Sequence, residues 1–212
     1  MLRSLREANI DTRLGSKAAF MAKPNIREKL IAVALELFHS RGYNACGVLD
    51  ITNAAGVPKG SFYNHFKSKE LLGLAVLDLH MKQVAELDVL GDKSILPIKR
   101  LYSQFKAYGV QLSKWQFERG CLLGNLGTEM SSHSAATRKA IKEAFENWCD
   151  SVTEVLKEAK ECEEIDAHHD PAALARFLVN SWEGAVMRSK VVRGAAPLED
   201  FFSITFNSIL KH

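Results

Sequence analysis

The sequence predicts an all-α protein, a three-helix helix-turn-helix unit followed by six further helices. Three observations carry this prediction. Apolar residues recur three and four apart along most of the chain, the period of a helix with one buried face. Capping residues, glycines and prolines stand where those runs begin and end. No segment alternates apolar and polar residues for long enough to argue for a strand.

The elements follow in order. Asn25 with Glu28 three residues on is a capping-box arrangement, and Ile26, Leu30, Val33, Ala34, Leu37 and Phe38 form a helical stripe closed by Gly42. Val48 to Ala55 supplies a short second helix with Val48, Ile51 and Ala55 inward. Gly56 can take the left-handed conformation that ends it. Val57 then plugs the corner, and Pro58 opens the third helix, where a missing N–H costs nothing. There Phe62 and Phe66, four apart, share the inward face. Ser68 caps a long helix to about Leu90, with Leu71, Leu72, Ala75, Leu79 and Leu87 inside, and Gly91-Asp92-Lys93-Ser94 breaks it. Pro97 opens a helix to about Lys114, and Gly120 to Met130 is short and interrupted by glycine. Ala135 to Lys160 carries many i,i+4 charge pairs. Asp170-Pro171 is an N-cap and N1 pair starting a helix to about Val192. Gly194-Ala195-Ala196-Pro197 leads into the last helix, Leu198 to about Leu210. The expected division is an arm at 1–24, a helix-turn-helix domain at 25–68 and a helical body at 69–212. The arm is either flexible and able to reach DNA or a frayed, disordered start.

Length and composition narrow the function. With 212 residues, 47% of them hydrophobic, the chain can bury one large core or two linked ones. Net charge is only +3, which argues against a bulk polyanion binder. Its distribution is more telling: residues 1–72 hold eleven Lys or Arg against six Asp or Glu, whereas the remainder holds 17 against 19. A basic N-terminal module on a mildly acidic body suits nucleic acid at one end. Cys46, Cys121, Cys149 and Cys162 include no Cys-x-x-Cys pair, so a reducing cytoplasm is the expected setting. No apolar run approaches the ~18 residues of a membrane span, and no secretory h-region follows the N-terminus.

Two short helices meeting across Gly56 to Pro58 have the form of a DNA-reading corner. With Phe62 and Phe66 inward, Lys59, Gly60, Ser61, Tyr63, Asn64 and Lys67 point mostly outward. Lysine meets phosphate as a point charge, and Ser, Tyr and Asn hydrogen-bond phosphate or base edges. Gly60 removes a side chain where a backbone could approach DNA closely.

These residues carry a resemblance. Leu35-Glu36-Leu37-Phe38, Gly42-Tyr43, Asp50-Ile51, Ala54-Ala55-Gly56-Val57 and the run Lys59 to Leu71 resemble the N-terminal domain of TetR/AcrR-type repressors over about residues 26–72. The resemblance implies a homodimer with a C-terminal helical domain for ligand binding and dimerisation. By position it assigns Lys59, Gly60, Ser61, Tyr63, Asn64, His65 and Lys67 to DNA, with Arg27 and Thr52 as weaker candidates for backbone contact. Cys46-Gly47 and Pro58 stand where most members place Ser or Thr, which removes hydroxyl contacts to phosphate without endangering the fold. The last two helices, with Phe177, Leu178, Trp182, Val186 and Met187 read as one apolar face and Phe201, Phe202, Ile204, Phe206 and Ile209 beside them, offer surface for a four-helix dimer interface.

A repressor of this kind needs a signal. Cys121, expected in the first turn of a short helix beside Arg119, would have its thiolate stabilised by both and so react with electrophiles or oxidants. The Gly-Cys-Leu stretch resembles an electrophile-sensing subset of the family. The competing reading is a small buried hydrophobe, which leaves a regulator that binds its effector noncovalently. Phe105, Tyr108, Trp115, Phe117, Trp148 and Trp182 supply aromatic surface for an effector cavity, with Tyr108, Asn125 or Glu129 as its polar groups. A thiol enzyme around Cys121 would need a histidine partner, for which His133 is a candidate by proximity alone. Cys162, His168, His169 and Asp170 have ligand chemistry but fit no standard zinc spacing. The expectation is a regulator without metal or cofactor, not an enzyme.

Overall fold

The computed structural model describes residues 25–210 apart from 87. Its helices are α1 (Ile26–Arg41), α2 (Val48–Ala54), α3 (Lys59–His65), α4 (Lys69–Glu86), α5 (Pro97–Lys114), α6 (Leu122–Met130), α7 (Ala135–Glu161), α8 (Pro171–Val192) and α9 (Ala196–Ile204), followed by a π-helical turn at Thr205–Ile209. The basic residues expected in the arm, Arg3, Arg6, Arg13 and Lys17, lie outside the described residues.

Local chemistry sets the first unit. The Asn25 side chain accepts from Glu28 N at 2.9 Å and Glu28 accepts from Asn25 N at 3.2 Å, closing the capping box. Gly42 ends α1 at φ +90°, a conformation L side chains rarely adopt. Asp50 accepts the Gly47 N–H at 2.7 Å, the half of a capping box that needs no side chain at the cap. Gly56, at φ +61°, turns the chain into α3. Phe38, Ile51, Phe62 and Leu72 are fully buried where α1 to α4 meet. Truncating one such phenylalanine to Ala removes about 3–5 kcal/mol.

Two cores divide the molecule, and their seam does not follow the break before α4. The first gathers α1 to α4 with Leu122, Leu123, Leu126 and Met130 of α6 and Ile141 and Ala144 of α7. The second joins α5, the later half of α7, α8 and α9 around Phe105, Leu156, Leu178, Trp182 and Phe201. Cys121, Phe145 and Trp148 touch both. The helix-turn-helix unit therefore leans on α6.

Four expectations change. The first long helix ends at Glu86, short of Leu90. Cys121 is the N-cap of α6 rather than a residue of its first turn. The regular part of the last helix runs from Ala196 to Ile204 and gives way to the π turn. The apolar face assigned to α8 is two faces, because residues five apart are rotated by about 140°. Leu178, Trp182 and Val186 point in, while Phe177 and Met187 point out.

Candidate DNA interface and effector site

The corner presents α3 as the sequence requires. Phe62 and Phe66 are buried and 5.8 Å apart, anchoring the helix on α1 and α2. Lys59, Gly60, Tyr63, Asn64, His65 and Lys67 are exposed and Ser61 is half-buried. Tyr63 keeps 55% of its surface free and rests its ring edge-on against Phe62 at 5.2 Å. A Cβ added to Gly60 would meet nothing within 4 Å, so the fold itself does not demand glycine there. Arg27 lies over the Phe66 ring at 5.2 Å, on the rim of the same surface. Thr52 is a correction: it is buried and donates its hydroxyl to Leu49 O at 3.1 Å, leaving nothing to offer a phosphate. Lys69, not singled out in the sequence, donates to Tyr43 O and Cys46 O at 3.0 and 3.1 Å and so ties the α1–α2 loop to α4.

The aromatic cluster in the body forms around Phe105, Tyr108, Trp148 and Trp182. Phe105 lies 5.1 Å from Trp182 and 6.5 Å from Tyr108, and Tyr108 lies 6.1 Å from Trp148. Burial pushes the Tyr108 hydroxyl up to about 12, so it stays a hydrogen-bond donor at neutral pH. Gln104 beside it is buried, with its amide nitrogen lacking a partner.

Trp115 and Asn125 are not part of that cluster. Trp115 packs edge-on against His39 of α1 at 4.7 Å and carries Arg119 over its face at 5.1 Å. Asn125 abuts Gly120, its Oδ1 3.3 Å from where a glycine Cβ would stand. It lines a shallow depression of ≈ 440 Å³ on the outer side of α6 and α8. Glu129 does not serve the aromatic cluster either: it reaches across to accept the Asn44 N–H at 2.6 Å.

Cys121 overturns the expected thiolate. Burial, and then the neighbouring carboxylate of Glu183 on α8, push its thiol well above the ordinary value; the N–H groups of Leu123 and Gly124 oppose this but do not win. Burial also raises Glu183. Arg119, expected to favour thiolate, is turned away to Glu36, at 2.8 Å. No histidine figures among the main influences on the thiol. His133 lines a separate hollow of ≈ 220 Å³ with Tyr43, Asn44 and Met130. Cys162 is exposed, and His168 bonds Asp166 at 2.7 Å; among the described residues no cluster of metal-ligand side chains forms.

Three contacts join this site to the DNA-reading unit. Buried His39 hydrogen-bonds Gly120 O through Nε2 at 2.7 Å, one residue before the cysteine. Arg119 pairs with Glu36, and Glu129 holds the loop after α1. His39 was not picked out in the sequence because its spacing matches the apolar stripe. Glu183 was missed although a charge beside Trp182 in an apolar helix was a visible anomaly.

A short, exposed, basic helix on a three-helix unit, joined to a larger helical body, defines a helix-turn-helix DNA-binding regulator. Residues 30–76 match the family described as bacterial regulatory proteins, tetR family, and residues 97–204 match the tetracyclin repressor-like C-terminal domain. The chain belongs to the TetR family. It is 37% identical over 192 residues to the HTH-type transcriptional repressor DhaR of Mycobacterium sp. strain GP1, covering 90% of this chain and 95% of that one. The crystal structure of the regulatory protein TetR from Rhodobacter sphaeroides superposes with a TM-score of 0.79 at 36% identity, over 84% of this chain and 95% of that one. Reduced Escherichia coli NemR superposes with a TM-score of 0.77 at 28% identity, over 89% of this chain and the whole of that one. The family and the relatives it includes are described as transcription regulators. Among the described residues no helix is long and apolar enough to cross a membrane.

Proposed function

We propose that the protein is a cytoplasmic homodimeric repressor that leaves its operator when Cys121 is modified. In a dimer the two α3 helices enter successive major grooves about 34 Å apart. Lys59, Lys67, Tyr63 and Arg27 set the register on phosphate, Ser61 and Asn64 lie nearest the base edges, and Gly60 and His65 complete the surface. The outward face of α8 and α9, where Phe177, Met187, Val191 and Ile204 are exposed, supplies the apolar patch for pairing.

The single observation that supports the switch is the double attachment of α6. Its N-cap is Cys121, and its last turn holds the loop after α1 through Glu129. An adduct on Cys121, at the seam of both cores, displaces α6 and the Gly120 carbonyl that His39 holds. The helix-turn-helix units then lose the spacing that matches DNA. Adduct and operator thus favour different states of one dimer.

The test is operator binding by fluorescence anisotropy on a duplex selected from a random pool, before and after N-ethylmaleimide. Wild type is expected to release DNA, and Cys121→Ser to hold it. Equal release by both places the sensing group elsewhere, whereas no release from either favours the noncovalent alternative, in which an effector occupies the Phe105, Tyr108 and Trp182 cluster.

A further inference from the structure

Neither the DNA interface nor the packing of the body accounts for Glu183. It sits on α8 between Trp182 and Gly184, and its carboxylate lies over the first turn of α6 beside Cys121. Gly124 permits this approach: a Cβ there would collide with Glu183 Oε2 and stand 3.9 Å from the Cys121 Cβ. The other oxygen, Oε1, is buried with no hydrogen-bond partner. No cation is among the main influences on either group. A carboxylate buried without a counter-ion and with an empty acceptor weakens a fold, so its place against a thiol points to chemistry.

The surroundings define that chemistry. Cys121 holds its proton at neutral pH, so a base is needed before its sulfur can attack. Glu183 is the neighbouring base, and the sulfur stands at the N-cap of α6, where the helix's positive end favours the negative charge that would develop. Cys121 is half-buried as a residue, which leaves an approach for a small molecule to its otherwise buried thiol. The adjacent carboxylate disfavours an anionic electrophile.

Resting on the reading of Cys121 as the sensing residue, we propose that Cys121 and Glu183 form a proton-transfer pair that captures neutral α,β-unsaturated carbonyl compounds by conjugate addition. Glu183 takes the thiol proton as sulfur forms a bond to the β-carbon and the carbon–carbon π pair moves into an enolate. Glu183 then returns that proton to the α-carbon and is again a carboxylate. Every atom of thiol and alkene ends in the thioether, and no oxidant or leaving group is involved. Displacement of a halide would instead strand a proton on Glu183 and an anion beside it.

The test follows Cys121 labelling by peptide mass spectrometry with N-ethylmaleimide and with 3-maleimidopropionate, which carries the same alkene and an added carboxylate. Glu183→Gln is expected to slow N-ethylmaleimide about a hundredfold near pH 7, within the range of general-base catalysis. The wild-type rate is expected to stay nearly level from about pH 7 to 8, whereas the variant climbs about tenfold per unit, as a thiol reacting only as free thiolate does. Wild type is also expected to prefer the neutral reagent by at least about tenfold over the ratio shown by free cysteine, and the variant to lose that preference. Equal rates in wild type and a folded variant overturn the pair while leaving Cys121 as a possible sensor. If the variant does not fold, a wild-type rate that climbs like free cysteine overturns it alone. A Cys121 that takes no label under any condition removes both the pair and the sensing reading.

Discussion

Glu129 tests how a signal at Cys121 would reach DNA. Its carboxylate accepts the Asn44 N–H at 2.6 Å, and it packs against Gly42, where an added Cβ would stand 2.6 Å from Oε1. A hydrogen bond to a charged acceptor contributes about 1.5–3 kcal/mol, and partial exposure at Asn44 cuts this to about 1 kcal/mol. Glu129→Ala removes that tether between α6 and the loop after α1. About 1 kcal/mol of lost coupling corresponds to about fivefold. The ratio of operator dissociation constants after and before alkylation is therefore expected to fall about fivefold. The thermal midpoint should drop by only about 2–4 °C. Anisotropy titrations of reduced and alkylated protein give the ratio directly. Glu143→Ala, which removes an exposed i,i+4 partner of Lys139 on α7, is the control and should change neither quantity. An unchanged ratio in a folded Glu129→Ala protein refutes the route through the last turn of α6.

Three further outcomes are expected. Gly60→Ala should keep or raise thermal stability, because nothing lies within 4 Å and Ala gains about 1 kcal/mol of helix propensity, yet it should weaken operator binding; undiminished binding would remove the close backbone approach. Gly124→Ala should slow Cys121 labelling as Glu183→Gln does, because the added Cβ displaces the carboxylate; labelling at the wild-type rate would show that carboxylate to be dispensable. Burial holds His80 at about 4 rather than 6.5, with His39 adding to the effect. The unfolded chain thus binds a proton that the folded chain refuses between those values. Stability should rise with pH through that window, by at most about 3 kcal/mol. Urea unfolding of wild type and His80→Gln at about pH 5 and 7 should show a smaller gain in the variant; equal gains would remove His80 as the cause.

How much was legible depended on whether a residue acts through its own helix or through a partner far along the chain. The capping box at Asn25, the left-handed Gly56 and the buried pair Phe62 and Phe66 are local, so spacing alone placed them and turned α3 outward. Thr52 failed for the same local logic, since a polar residue on a short helix reads as exposed until its hydroxyl finds the Leu49 carbonyl. Cys121 was found from its sequence neighbours, but its protonation was misjudged. Burial raises the thiol first, and Glu183, which adds to it, lies 62 residues away and approaches only because Gly124 has no side chain. Trp115 and Asn125 sit near Cys121 in sequence, yet helix rotation turns them to His39 and to the outer depression. Nothing in their spacing separates an aromatic that lines a cluster from one that pins α1.

The presentation of α3 is tested most directly by quantitative footprinting on the selected operator. Wild-type protein is expected to protect two stretches one helical turn apart, about 34 Å. Tyr63→Ala, an exposed change that leaves Phe62 and Phe66 in place, should lose both stretches together while its thermal midpoint holds. A single protected patch, or an unaltered footprint from the folded variant, would contradict the account.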